Sequence, residues 1–258
     1  MPGVPALPGI RRPGHNAAMT RSPAGDALPL QFAPSASRLP ERIAAMRPTD
    51  GEGPFDDPDY FFEPWWPGIR SLVLVEDGVA RLRAEALGDP TPVFPELADV
   101  AGLVRVDGVV LDATLMILDA RGRPSRALLE RRLRGESAAA GTASALARGG
   151  RGAVALVASD LLYLDGESLA ARPFAERRGE LAALLRPSSW CLAGRGFIGD
   201  GTTVATALGA LGFRALSARR LDAPLRPGPA GTAWYRVPVV AAPRELPPFL
   251  AIIRRLPL

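Results

Sequence analysis

The 258-residue chain contains no lysine; all 31 of its basic residues are arginine. It has one histidine, His15, and one cysteine, Cys191. These scarcities exclude whole classes of chemistry. One cysteine allows no intrachain disulfide framework, and with a single histidine it allows no Cys/His zinc cage. A Ser-His-Asp or Cys-His relay would depend on His15, which lies in a Pro- and Gly-rich stretch unsuited to holding a catalytic geometry. Schiff-base, lysyl-adenylate and P-loop chemistry each need a lysine amine. No apolar run reaches the ~18 residues of a transmembrane helix. The longest, Ala153–Leu164, is broken by Ser159 and Asp160. The N-terminus lacks a secretory apolar region, so the sequence predicts a cytoplasmic protein with no membrane partner.

What is present is ordinary for a globular chain: 47% apolar and 22% charged residues. The net charge is +4. Residues 1–45 carry five arginines against Asp26 and Glu41, a local +3, which leaves the remainder near +1. Non-specific nucleic-acid binding would therefore need a local arginine patch rather than a global field. Residues 1–50 are rich in Pro, Gly, Ala and Ser, which predicts a disordered tail, with a short helix at 39–46 as its one candidate element. The stretch 135–152 is again mostly Ala, Gly, Ser and Arg and reads as a solvent loop or linker.

Strand patterns occur at 71–76 and 79–84, joined by Asp77-Gly78 as a type I′ hairpin turn. Others follow at 103–107, 109–118 and 154–164, the last ended by Asp165-Gly166, with weaker ones at 189–193, 215–221 and 233–240. Helical periodicity covers 125–134, 173–185 and 202–211, with Pro173 suited to a first turn. Strands arriving in hairpin pairs with interspersed helices point to an antiparallel α+β fold rather than a doubly wound parallel sheet.

The string Phe62-Glu63-Pro64-Trp65-Trp66-Pro67-Gly68-Ile69-Arg70 resembles the first motif of ATP-dependent DNA ligases, especially the bacterial end-joining kind, where it reads Phe-Glu-Pro-Lys-Trp-Asp-Gly-x-Arg. Further strings follow in the family's order: Thr91-Pro92 and Phe94-Pro95-Glu96-Leu97, then Val110-Leu111-Asp112, then Ser159 through Gly166. After them come Glu176-Arg177-Arg178, Ala218 through Pro224, Arg226-Pro227-Gly228 and Trp234-Tyr235-Arg236-Val237. The resemblance spans about residues 54–238. It implies a nucleotidyltransferase (adenylation) fold over residues 51–240, two antiparallel sheets flanked by helices with a central cleft. Residues 241–258 then read as a C-terminal tail, without the OB-fold domain of a complete ligase.

In that family the motif lysine attacks the α-phosphate of ATP, and the AMP passes to the 5′-phosphate of a nick. Divalent metal assists. By the resemblance, this chain has Trp65 at the nucleophile's position, and an indole nitrogen, its lone pair in the ring, forms no phosphoramidate. Pro67 replaces the motif aspartate, Thr114 the third-motif glutamate, and Ser159 the aromatic that stacks on adenine. Arg214 replaces the fourth-motif glutamate, Arg219 its lysine, and Arg236 and Pro238 the fifth-motif lysines. Arginine still binds phosphate but is no nucleophile here. Glu63, Gly68, Arg70, Asp112, Asp160 and Trp234 are retained. The expected remnant of the cofactor cleft is thus Glu63, Trp65, Arg70, Asp112, Thr114, Ser159, Arg219 and Arg236, with no catalytic residue and no metal site. No cofactor is expected, ATP and Mg²⁺ being implied by resemblance alone.

Each feature has a plainer reading. Trp65 either stacks a base or fills an emptied cleft, and filling is favoured. Asp112 and Asp160 are a residual Mg²⁺ site or, in preference, structural. The string Gly194-Arg195-Gly196-Phe197-Ile198-Gly199 matches a dinucleotide fingerprint, with Asp222 about 20 residues on, but lacks a βαβ series and reads as a strand–loop–helix connection. The pairs Arg131-Arg132, Arg177-Arg178, Arg219-Arg220 and Arg254-Arg255 track a DNA backbone or, in preference, lie on solvated faces. The functional expectation is a ligase-like protein of DNA repair or recombination that forms no lysyl-AMP and binds DNA ends, nicked DNA or repair proteins. The alternatives are an active ATP-dependent ligase with an atypical site and a purely structural partner-binding module.

Overall fold

A computed structural model describes residues 38–256 except 86, 105 and 137–151. Residues 1–37 of the expected N-terminal tail and residues 137–151 of the expected linker therefore lie outside the described residues. In chain order the strands are β1 (Met46–Arg47), β2 (Thr49–Asp50), β3 (Asp57–Pro64), β4 (Ile69–Glu76), β5 (Val79–Arg83) and β6 (Val109–Leu118). They continue with β7 (Ala153–Leu164), β8 (Glu167–Ser168), β9 (Cys191–Ala193), β10 (Phe197–Gly199), β11 (Ala215–Arg220), β12 (Gly228–Pro229) and β13 (Trp234–Pro238). The helices are α1 (Arg126–Leu133), α2 (Phe174–Leu184), α3 (Gly201–Leu211) and α4 (Phe249–Ile253).

Two sheets dominate. One runs β5-β4-β6-β7-β8, with β9 parallel to β7; the other runs β10-β3-β11-β13-β2, and β1 pairs with β12 apart from both. The antiparallel two-sheet α+β architecture is the expected one, with parallel pairing added at β7·β9, β13·β2 and β1·β12. The β4–β5 hairpin turns on Asp77 (φ 51°) and Gly78 (φ 71°), both left-handed as a type I′ turn requires. Asp165 (φ 52°) and Gly166 (φ 78°) repeat the device between β7 and β8.

The strand expected at 103–107 is not present. A 3₁₀ segment, Pro95–Leu103, runs through its start, and Val104 makes only an isolated bridge to Leu185. The helix expected at 39–46 is absent too; Leu39 is instead buried beside Leu72, Leu74, Val110 and Leu162. Pro173 sits at the N-cap of α2, one position before its first turn, in an extended conformation (φ −54°, ψ 148°). Beyond residue 240, α4 buries Phe249, Ile252 and Ile253 in a core shared with Phe62, Trp66 and Phe213. No helix is long and apolar enough to cross a membrane among the described residues.

Candidate functional site

The cleft face of the second sheet is set by strand register. Glu63, Ser217 and Arg236 form one cross-strand row, and Phe61, Arg219 and Trp234 form the next. On the facing sheet, β4 contributes Arg70, β6 contributes Asp112 and Thr114, and β7 contributes Asp160. Asp112 and Asp160 are direct cross-strand partners beside a register shift in β6–β7. Two carboxylates facing one another across a ladder repel, and both are buried, at 2% and 0% exposure.

Arginines resolve this conflict. Arg70 grips Asp112 with two parallel hydrogen bonds, Nε–Oδ1 at 2.8 Å and Nη2–Oδ2 at 2.5 Å. Arg177 grips Asp160 the same way, at 2.9 and 2.8 Å, and Arg219 adds Nη1–Oδ2 at 2.9 Å. Arg219 also lies 3.7 Å from Asp112 Oδ2. Burial alone would push the Asp112 carboxyl up; Arg70 first and Arg219 second outweigh it and hold the group below the usual carboxylate range. Glu63 is served less well. Arg178 stands 3.7 Å from its Oε2, and burial wins over Arg178 and Arg219, pushing the Glu63 carboxyl up. Arg177, Arg219 and Arg132 (on Glu96 at 2.6 Å) are all buried, so three of the four arginine pairs read as solvated faces each send one member inward to a carboxylate.

Aromatic rings complete the filling. Trp234 donates its indole N–H to Ser217 Oγ at 2.9 Å, and its ring carries Arg219 at 3.8 Å and Arg70 at 4.6 Å from its centroid. Arg219 Nη2 reaches Ser159 Oγ at 3.3 Å. The small Ser159 thus leaves room for the Arg219 guanidinium, where the resemblance implies an aromatic ring. Trp65 is half-buried, tilted 39° against Trp234 at 6.1 Å, with Arg236 at 5.6 Å from its ring. Trp66 is the more deeply buried of the pair, edge-on to Phe213 and Phe249, so it and not Trp65 belongs to the apolar core.

A cavity of about 60 Å³ remains among Glu63, Trp65, Arg70, Thr114, Ser159 and Arg219. The structure therefore brings seven of the eight predicted cleft residues together around one volume or its ion pairs. Arg236 stays outside that cavity, on an outer groove that Trp65 also lines. Arg177 and Arg178 were not among the predicted site residues; their place in the family's helix-opening string was the available signal. Among the described residues, no three His, Cys, Asp or Glu side chains are grouped so as to hold a metal ion. The Gly194–Gly199 string connects β9 to β10, and two of its glycines serve packing: a Cβ on Gly194 would meet Glu63 Oε2 at 2.6 Å, and one on Gly196 would strike the Phe62 carbonyl. Cys191 is buried, and burial pushes its thiol up to about 12, which removes it as a nucleophile.

Comparison with known proteins agrees with this architecture. The multifunctional non-homologous end joining DNA repair protein LigD of Mycobacterium tuberculosis is 30% identical over 175 residues, 68% of this chain and 21% of that protein. Mycobacterial DNA ligase D complexed with ATP and MES superposes with a TM-score of 0.60 at 29% identity, covering 76% of this chain and 60% of that one. The chain is a homologue of the LigD ligase domain. The SPbeta prophage-derived DNA ligase-like protein LigB of Bacillus subtilis is 31% identical over 132 residues, 51% of this chain and 43% of that protein. The chain spans about one fifth of the length of the end-joining relatives it matches. No family model matches it. Its fold is that of the nucleotidyltransferase domain of ATP-dependent DNA ligases, and it is ligase-like and related to DNA repair proteins.

Proposed function

We propose that this domain is a non-catalytic ligase relative that forms no covalent adenylate and serves DNA repair by binding DNA ends. The observation carrying the reading is the state of the cleft. A ligand pocket for a molecule of nucleotide size needs roughly 300 Å³ or more, and about 60 Å³ is present between Glu63, Ser159 and Arg219. Enlarging it means breaking the Arg70–Trp234–Arg219 stack and the ion pairs beneath it, so the residues present do not fit ATP. Among the described residues of the cleft, Glu63, Asp112 and Asp160 each face an arginine. Trp65 offers no amine, and the whole chain has none on a side chain.

The supports for DNA over a purely structural partner are the relatives named for end joining and the arginines left on the outer groove. Incubation with α-labelled ATP and Mg²⁺ tests the non-catalytic part, and no covalent label is expected; a labelled band overturns it. Binding to nicked and blunt duplexes across a salt series tests the DNA part. A log-affinity that falls with log-salt is expected, and absence of binding overturns it.

A further inference from the structure

On the outer side of the Trp65–Gly68 loop lies a groove of about 510 Å³. It is bounded by α1, by the residues leading into β11, and by the segment around Arg244. Its charged lining is four arginines, Arg126, Arg214, Arg236 and Arg244, against one carboxylate, Glu130. Glu130 is held by Arg126 at 2.7 Å, and Arg236 has a loose, exposed contact with Asp50 at 3.5 Å. Arg214 and Arg244 are exposed and pair with no carboxylate among the described residues. This contrasts with the filled cleft, where each acid has its arginine. A surplus of three positive charges thus converges on one groove.

The same groove has an aromatic wall. Trp65 lines both the small inner cavity and this outer space, and so stands between them. Trp66, Trp190 and Trp234 are all buried, at 6%, 3% and 2% exposure, which leaves Trp65 as the one tryptophan in reach of solvent. A ring with Arg236 at 5.6 Å from its centroid, in a groove that Arg214 and Arg244 also line, matches the chemistry of an unpaired polynucleotide: a base with a flat face, and phosphates on either side at fixed spacing. A paired duplex end presents its bases already stacked and offers less to such a wall.

We propose that this groove binds the unpaired strand of a DNA end, with a base on Trp65 and flanking phosphates on Arg236, Arg214 and Arg244. The inference rests on the DNA-binding reading above and narrows it to a strand and a surface. In place of the reactive amine that ligases carry, residue 65 then supplies a stacking platform.

The test uses the full chain with a fluorescein-labelled oligo-dT of 12 nucleotides and a blunt duplex of equal length. Single-strand binding is expected to be tighter than duplex binding and to quench Trp65 fluorescence. Three phosphate contacts predict a log-affinity against log-salt slope of about −2, since each contributes about −0.7 on a single strand. Trp65→Leu is expected to weaken the single strand by roughly 5- to 150-fold, the range for losing one base–aromatic stack. Arg244→Ala, at an exposed position outside the ion-pair network, is expected to make the slope shallower by about 0.7, and it guards against a folding defect at position 65. Equal affinity of Trp65→Leu and wild type for the single strand, or a preference for duplex, overturns this proposal while leaving DNA-end binding intact. Failure of both oligonucleotides to bind overturns both.

Discussion

At the residue scale, the two opposed aspartates decide most of the cleft's behaviour. Asp112 and Asp160 face each other on adjacent strands with almost no solvent. Neither is tolerable as a bare charge, because an ion taken from water without a partner costs several kcal/mol. Arg70, Arg177 and Arg219 make them tolerable. The arrangement has a pH signature. Asp112 is held below its ordinary value of 3.8, so in the folded state it stays ionised at pH values where the unfolded chain has begun to bind protons. Its share of stability is therefore complete above that value and is lost as pH falls through the depressed one. Asp112→Asn is expected to cost about 3 kcal/mol at pH 7, by leaving Arg70 without its charge partner. Its urea midpoint should also fall less steeply than wild type between pH 4 and pH 2. Parallel profiles for the two proteins would sink this account.

At the element scale, much of the skeleton was legible and the reasons are local. The β4–β5 hairpin announced itself because Asp77-Gly78 is a dipeptide that accepts left-handed backbone at both positions, between two alternating apolar runs. Helix α1 could be bounded from Ser125, whose Oγ accepts from the Leu128 amide at 3.4 Å. Strand β3 escaped periodicity analysis because Pro58, Asp59, Glu63 and Pro64 break its alternation; it was visible only as a family motif. The false strand at 103–107 had the right apolar alternation, but Pro95 opens a 3₁₀ segment that runs through Leu103. Helix α4 has five residues, too few to carry a periodicity, although Pro247-Pro248 just ahead of it is a start signal.

Gly68 lies in the loop between β3 and β4, in a string associated with catalysis, yet its requirement here is steric. A Cβ at this position would collide with the Leu115 carbonyl and come within 2.7 Å of Thr114 Cγ2 and 2.8 Å of Met116 Cγ. The obstruction includes backbone, which cannot rotate away. Gly68→Ala is thus expected to destabilise the fold by about 1–3 kcal/mol, as overpacking does. A melting temperature equal to wild type would mean that the loop is not seated on β6 as described.

At the scale of the whole molecule, the cores and the cleft have separate requirements. The apolar residues that join each sheet to its helices form two large buried clusters. The charged cleft is a different matter, since Asp112 and Asp160 there are held by arginines. Ligand linkage makes the distinction measurable. A ligand at 100 times its dissociation constant adds about 2.7 kcal/mol to stability, which is roughly 5–10 °C of melting temperature for a domain of this size. Millimolar ATP with Mg²⁺ is expected to leave the melting temperature unmoved. The sharper form of the test restores the amine with Trp65→Lys. Were residue 65 the sole obstacle, that variant would gain both a thermal shift with ATP and a covalent label. The remaining cleft walls argue otherwise, because Arg70 and Arg219 still clasp Trp234, and Asp112 and Asp160 still hold their arginines. The variant is therefore expected to show neither response. A label on it would move the block from the whole cleft to a single side chain.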